Sequence, residues 1–290
     1  MPSLIDIRRR IRSVRNTQQI TKAMKMVSAA KLRRAQDRVI QSRPYGGMLR
    51  SVLANVAAAA ALDEQAGQNE LLARREEQNV LLVFISGDKG LAGAFNTNLI
   101  KGAQRFIAER PGVSVKLELI GRKGRDYFRK RRAPISGDSI GLANRPAYAD
   151  TAAIARKAMD LYRRAEIDAV YIIYNEFKSV IAQKLTVARV LPVEMPASPA
   201  AGAGPVDYIF EQPPAQMLDV LLPRYVEMEF FRALLESAAA EHAARMTAME
   251  AATSNAAEMI DKLTLFMNRV RQASITREII EVVSGAAAAV

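Results

Sequence analysis

The sequence predicts an α/β fold combined with long helices: two terminal helices that pair, and an α/β unit inserted between them. Three observations carry this. From Arg224 to Ser284 there is neither proline nor glycine, and the stretch is rich in Ala, Glu, Met and Leu. Those residues lose little side-chain freedom in a helix. The stretch from Ser3 to Gln41 also carries apolar positions at spacings of three and four. Between Asn79 and Pro192, short apolar runs alternate with amphipathic stretches, the pattern of strands and helices in turn. The implied division is residues 1–62, 79–192 and 214–290.

The first helix is expected over Ser3–Gln41. Leu4, Ile7, Ile11 and Val14 open its stripe, which then passes to Ile20, Met24 and Val27. Pro44 ends or kinks it, and Gly46 and Gly47 loosen the chain further. An Ala-rich helix follows over Met48–Leu62. In the insert, Val80–Ser86 is a buried strand by its β-branched and apolar composition. Asn96–Glu109 is a helix, and Val113–Ile120 a second strand. Gly121–Arg132 is a short basic helix, Ile135–Ile140 a third strand, Pro146–Ala165 a helix and Ala169–Tyr174 a buried strand. Val180–Leu191 is longer and more polar, which suits an edge or antiparallel strand. Ala197–Pro205 is a loop of Gly, Ala and Pro. Pro213, Pro214 and Pro223 bracket a short helix before the long one.

The long helix has a legible seam. Met246, Met249, Thr253, Ala256, Ile260, Leu263, Met267 and Val270 alternate spacings of three and four, the 3.5-residue period of a left-handed coiled coil. Ile275, Ile279 and Val282 carry it on after a shift. The first helix has the length and seam to be its antiparallel partner; pairing with a second copy of the same helix is the alternative. Arg271, Gln272, Thr276 and Glu278 form a polar patch where the seam shifts, and Arg277 falls on a core position. A helix of about 60 residues outruns one of about 40, so this end projects beyond its partner. Gly285–Val290 is small and apolar, which suits a tip sheathed by other chains.

Composition narrows the function. There is no cysteine, hence no disulfide and no thiol chemistry, and a single histidine, His242, cannot build a multi-histidine metal site. A satisfied helix histidine is the plainer reading. No run of apolar residues is long enough to span a membrane. The net charge is +12, and Met1–Arg43 holds twelve Lys or Arg against two Asp. Such a block suits an acidic partner. The basic N-terminus continues smoothly into the first helix rather than into a signal sequence.

Ser86–Asn96 (SGDKGLAGAFN) places Gly87, Gly90 and Gly93 after a strand. The spacing is neither that of a dinucleotide loop nor that of a phosphate-binding P-loop, so a close-packed strand-to-helix turn is the simpler reading. The sequence offers no Ser–His–Asp set, Cys–His pair or metal-spaced cluster, so no catalytic, cofactor-binding or metal-ligating residue is expected. Glu227 with Glu229, and Glu278 with Glu281, read as solvated helix carboxylates.

Three segments carry a resemblance. Ile7–Gln36 (IRRRIRSVRNTQQITKAMKMVSAAKLRRAQ), Gly87–Asn96 (GDKGLAGAFN) and Ala244–Ala288 resemble the signatures of the gamma subunits of F-type ATP synthases. The resemblance covers both ends and the insert. It implies an antiparallel coiled coil of the terminal helices with an inserted Rossmann-like α/β domain, and a central rotor shaft without catalysis or cofactor of its own. It implies one copy per complex, seated in a ring of three alpha and three beta subunits and joined below to the epsilon subunit and the c-ring. By resemblance, Arg271, Gln272, Thr276 and Glu278 match the region that meets beta-subunit loops, and Met24 matches a lower bearing contact. The basic first helix then faces acidic loops of the alpha and beta subunits. Ala92 stands where many members of the family carry cysteine. The absence of a chloroplast-type regulatory insert and of a presequence implies a bacterial source, peripheral on the cytoplasmic face of the inner membrane.

Two rivals predict different behaviour. A Rossmann-type enzyme predicts tight binding of NAD or ATP. A nucleic-acid-binding coiled coil predicts affinity that falls steeply with salt. Met1–Pro44 has no aromatic residue, so a base-stacking surface is poorly supplied.

Overall fold

The computed structural model describes residues 3–60, 69–194 and 212–288. The expected loop Ala197–Pro205 and the last side chains, from Gly285 on, lie outside the described residues. In chain order the elements are α1 (Leu4–Ala60), a 3-10 turn (Glu70–Leu72), β1 (Asn79–Ile85), α2 (Phe95–Ala108), β2 (Ser114–Ile120), α3 (Arg122–Lys130), β3 (Ile135–Ser139), α4 (Tyr148–Arg163), β4 (Ala169–Phe177), β5 (Gln183–Leu191) and α5 (Pro214–Ala288). They divide into two units, one of Met1–Ala29 with Arg245–Val290 and one of Ala30–Ala244.

Both long helices are more continuous than their prolines suggest. Pro44 lies inside α1 and Pro223 inside α5, so the expected breaks at these positions do not occur. An interior proline removes one backbone bond and costs about 3 kcal/mol. The apolar residues around each proline are buried: Val39 and Leu49 around Pro44, Leu222 and Val226 around Pro223. Each fully buried aliphatic side chain is worth about 1.5–3 kcal/mol, so two offset one proline. Pro214 opens α5, where its missing N–H has no partner to lose.

The larger unit is built on a five-stranded sheet in the order β3-β2-β1-β4-β5. The first four strands are parallel, and β5 runs antiparallel to β4 at the edge. The more polar β5 thus sits where a polar strand is tolerated. β1 is central and buried on both faces, which explains its unbroken apolar run. Its alternate residues divide between two cores. Leu81, Val83 and Ile85 pack with Ala155, Ala158 and Tyr162 of α4, with Leu53 and Val56 of α1 and with Phe230 and Leu234 of α5. Val80, Leu82 and Phe84 face Leu99 and Phe106 of α2 and Phe128 of α3. Phe84 and Phe128 meet edge to face at 5.3 Å.

The smaller unit is a pair of helical segments, one from each end of the chain. Its geometry is that of the candidate site.

Candidate functional site

Two contacts fix the pairing of the terminal segments. Thr21 Oγ1 lies 2.8 Å from Thr253 Oγ1, and Lys25 Nζ lies 2.6 Å from Glu250 Oε1. A later residue of α1 thus meets an earlier one of α5, so the pair is antiparallel and lies within one chain. The Lys25–Glu250 pair is solvent-exposed on both sides, and such pairs contribute little. The stability lies in the seam. On α5, Met249 and Ala256 are buried, while Met246, Thr253, Ile260, Leu263, Met267 and Val270 are half-buried.

The partner seam on α1 differs from the one expected. Ile7 and Ile11 are buried, and the heptad then runs on through Thr21 and Ser28, which are 8% and 3% exposed. Ile20 and Val27 are 60% and 57% exposed, so the apolar stripe does not move to them. Short polar side chains hold the seam here because they let the helices approach closely. Thr21 Oγ1 also lies 3.0 Å from Gln18 O, and Thr253 Oγ1 lies 2.7 Å from Met249 O. Each hydroxyl carries one proton, so two protons serve three contacts. Either hydroxyl can donate across the seam, and the other then donates to its own backbone.

Beyond Val270 the seam has no partner among the described residues. The register set by Thr21 and Thr253 brings Leu4, where α1 begins, level with about Val270. Arg271, Gln272, Thr276, Arg277 and Glu278 are accordingly exposed. Thr276 Oγ1 donates to Gln272 O at 2.9 Å, and Ser274 Oγ donates to Glu278 Oε1 at 3.1 Å. Glu278 is thereby oriented and Gln272 keeps its side-chain amide for other contacts. Ser274 is half-buried and continues the heptad, in place of the expected shift to Ile275. Ile275, Ile279, Ile280, Val282 and Val283 are between 49% and 72% exposed. This is a strip of large apolar side chains that no described residue covers. Met24 is half-buried beside the seam. The partner-contact residues read from the sequence therefore form one cluster on the free end of α5, with Met24 well separated from it along the pair. The exposed apolar strip extends that cluster.

In the larger unit, the loop after β1 is a brace. The sheet order reverses between β1 and β4, the usual position for a nucleotide crevice in such folds. Here that end is filled by the chain itself. A Cβ on Gly87 would fall 2.8 Å from the Glu241 carboxyl of α5, so that side chain lies directly against the loop. Gly87 N–H donates to Asn96 Oδ1 at 3.0 Å. Asp88 accepts from the backbone of Arg122 and Gly141 and from Asn144 Nδ2 at 2.7 Å. Ser86 Oγ donates to Ile120 O and accepts from Gly124 N–H. The motif thus ties together the ends of β1, β2 and β3. Among its glycines only Gly93 has positive φ, at 55°. No group of three or more metal-ligating side chains gathers among the described residues. His242 is buried within α5.

Among the described residues no helix is long and apolar enough to cross a membrane. Known proteins point the same way as the geometry. The family model described as ATP synthase matches residues 3–289. The ATP synthase gamma chain of Solibacter usitatus is 75% identical over 289 residues, the full length of both chains. That of Anaeromyxobacter sp. strain Fw109-5 is 52% identical over 290 residues, 99% of each chain. Among solved structures, a chain of the Euglena gracilis mitochondrial ATP synthase, in an assembly of OSCP, F1 and c-ring in rotational state 3, superposes with a TM-score of 0.67 at 19% identity, covering 98% of this chain and 94% of its own. A chain of the Tetrahymena thermophila mitochondrial central stalk and c-ring gives 0.58 at 24%, covering 80% and 99%. Those structural likenesses establish the fold, and the full-length identities establish the lineage: the chain belongs to the ATP synthase gamma chain family.

Proposed function

We infer that this chain is the central rotor shaft of a bacterial F-type ATP synthase. It couples ion-driven rotation of the c-ring to the conformational cycle of the catalytic subunits, in synthesis or in reverse hydrolysis. The observation that carries this is the 75% identity to an ATP synthase gamma chain along the full length. The helix pair supports it physically. An antiparallel pair resists twist, and a free end of α5 presents different side chains in different directions. A rotor can shift a catalytic subunit between states only through such differential contacts.

Finer assignments follow as proposals. One copy serves three alpha and three beta subunits, with epsilon and the c-ring at the other end. The complex lies on the cytoplasmic face of the inner membrane, to which this chain is peripheral. Arg271, Gln272, Thr276 and Glu278 meet beta-subunit loops, and Met24 meets a bearing surface. The apolar strip from Ile275 to Val283 is covered by the sleeve those subunits form. Nucleotide chemistry resides on the alpha and beta subunits.

Reconstitution with purified alpha and beta subunits tests the reading. The expected product is a complex of three alpha, three beta and one copy of this chain, with ATPase activity that requires it. Elution of the chain alone or as a self-paired dimer, with no gain of ATPase, would sink the rotor assignment.

A further inference from the structure

A cleft of about 490 Å³ opens in the larger unit between α1, the loop after β1 and the loop after β3. Its walls carry Lys31, Arg34 and Arg38 of α1, Lys89, Asn144 and Arg145. None of the five cations has a carboxylate within ion-pair distance among the described residues. Asp37, adjacent in sequence to Arg38, makes no ion pair among them either. The nearby Asp88 is engaged by the Arg122 and Gly141 backbone and by Asn144, which it holds at the rim. Leu235, Ala238 and the buried His242 form part of the lining on the α5 side. Cations that converge without counter-charge repel one another, and a bound anion relieves that repulsion.

We propose that this cleft binds a run of phosphate groups, as in an oligophosphate or the triphosphate of a nucleotide. Lys31, Arg34 and Arg38 stand at i, i+3 and i+7 on one helix face, a row about 10 Å long. One phosphate reaches a single turn of that row, whereas a chain of phosphates reaches all of it. The opposing Lys89 and Arg145 close the other wall. Guanidinium forks pair with phosphate oxygens bidentately. The volume lies in the range of ~300–1,000 Å³ typical of small-ligand sites. The cleft is distinct from the strand-end crevice that Glu241 fills.

Titration calorimetry of the full-length chain at physiological salt tests the proposal, with inorganic tripolyphosphate, magnesium-free ATP, orthophosphate and an octaglutamate peptide. Tripolyphosphate is expected to saturate one site and to bind at least tenfold tighter than orthophosphate. Arg34→Gln with Arg38→Gln should weaken it at least tenfold. Arg8→Gln with Arg12→Gln removes the same charge elsewhere and should change it less than twofold, with circular dichroism confirming that both variants fold. ATP binding as tightly as tripolyphosphate supports a site that reads only the phosphates; tighter ATP binding supports a nucleotide source. Equal weakening in both double variants would reduce the effect to net charge and overturn the site. Tighter binding of octaglutamate would overturn it in favour of an acidic protein surface.

Discussion

Gly121 and Gly46 show two opposite uses of the same residue. Gly121 has φ of 99°, and a Cβ there would fall 2.1 Å from Ser86 O, so the backbone of the neighbouring strand end occupies its side-chain space. Gly121→Ala should cost roughly 3 kcal/mol through strain and overpacking, read as a lower urea midpoint of the full-length chain. Gly46 lies within α1, and a methyl group there would meet nothing within 4 Å. Gly46→Ala should gain about 0.5–1 kcal/mol in the same assay, because glycine is a poor helix former. Two tyrosines set a pH limit. Burial, with Glu236 nearby, pushes the Tyr174 hydroxyl up to about 12, and burial with its bond to Glu227 does the same for Tyr148. The fold prefers the neutral phenol, so this stability is intact below pH 10 and is lost as pH rises through 12. For the 3%-exposed Tyr174 the loss is about 2–3 kcal/mol; Tyr148, 40% exposed, contributes less because solvent screens it. Urea unfolding at about pH 9 and about pH 11 should show a steeper decline for the unmodified chain than for Tyr174→Phe.

At the scale of elements, the seam of the helix pair is where the sequence is hardest to read. The α5 seam is apolar and its period is plain in Met246, Met249, Ile260, Leu263, Met267 and Val270. The α1 seam passes through Thr21 and Ser28, while Ile20 and Val27 beside them point to solvent. A pattern search weighted by hydrophobicity follows the wrong residues there. The heptad spacing from Ile7 through Ile11, Val14, Gln18, Thr21, Lys25 and Ser28 is the signal that marks them. The prolines mislead for a related reason: local propensity is a weak prior where tertiary burial is large. The sheet is legible because its strands are short, apolar and separated by turn residues. The brace built by Asp88 is not, because its partners come from two other loops, those after β2 and β3. The seam assignment has a direct test. Ser28→Asp should lower stability by about 2 kcal/mol or more by burying a charge, whereas Val27→Asp should stay within about 0.5 kcal/mol. Thr21→Val or Thr253→Val alone should cost about 1 kcal/mol, and the double variant less than their sum, because both partners of the seam contact are then apolar. Thermal or urea unfolding of these variants decides both points.

For the whole molecule, the unequal ends of the helix pair separate two kinds of contact. Arg271 and Gln272 lie just past the level where α1 begins and present polar groups that can distinguish one catalytic-subunit conformation from another. The apolar side chains farther out can be sheathed but have few directional bonds with which to discriminate. If the first group transmits state and the second only centres the tip, their removal should have unequal effects. Replacing Arg271 and Gln272 with Ala removes one charged and one neutral hydrogen-bonding group, each worth roughly 1–3 kcal/mol where it is used. At about 1.4 kcal/mol per factor of ten, the ATPase of the reconstituted complex should fall about tenfold or more. Deleting residues 285–290 should reduce it about twofold or less, since Gly285–Val290 holds only Gly, Ala and Val and so carries no hydrogen-bonding side chain. Size exclusion must show both variants assembled, so that a loss of rate reads as lost transmission. The opposite ranking would assign the contact to the tip and leave the polar patch as a solvated helix end.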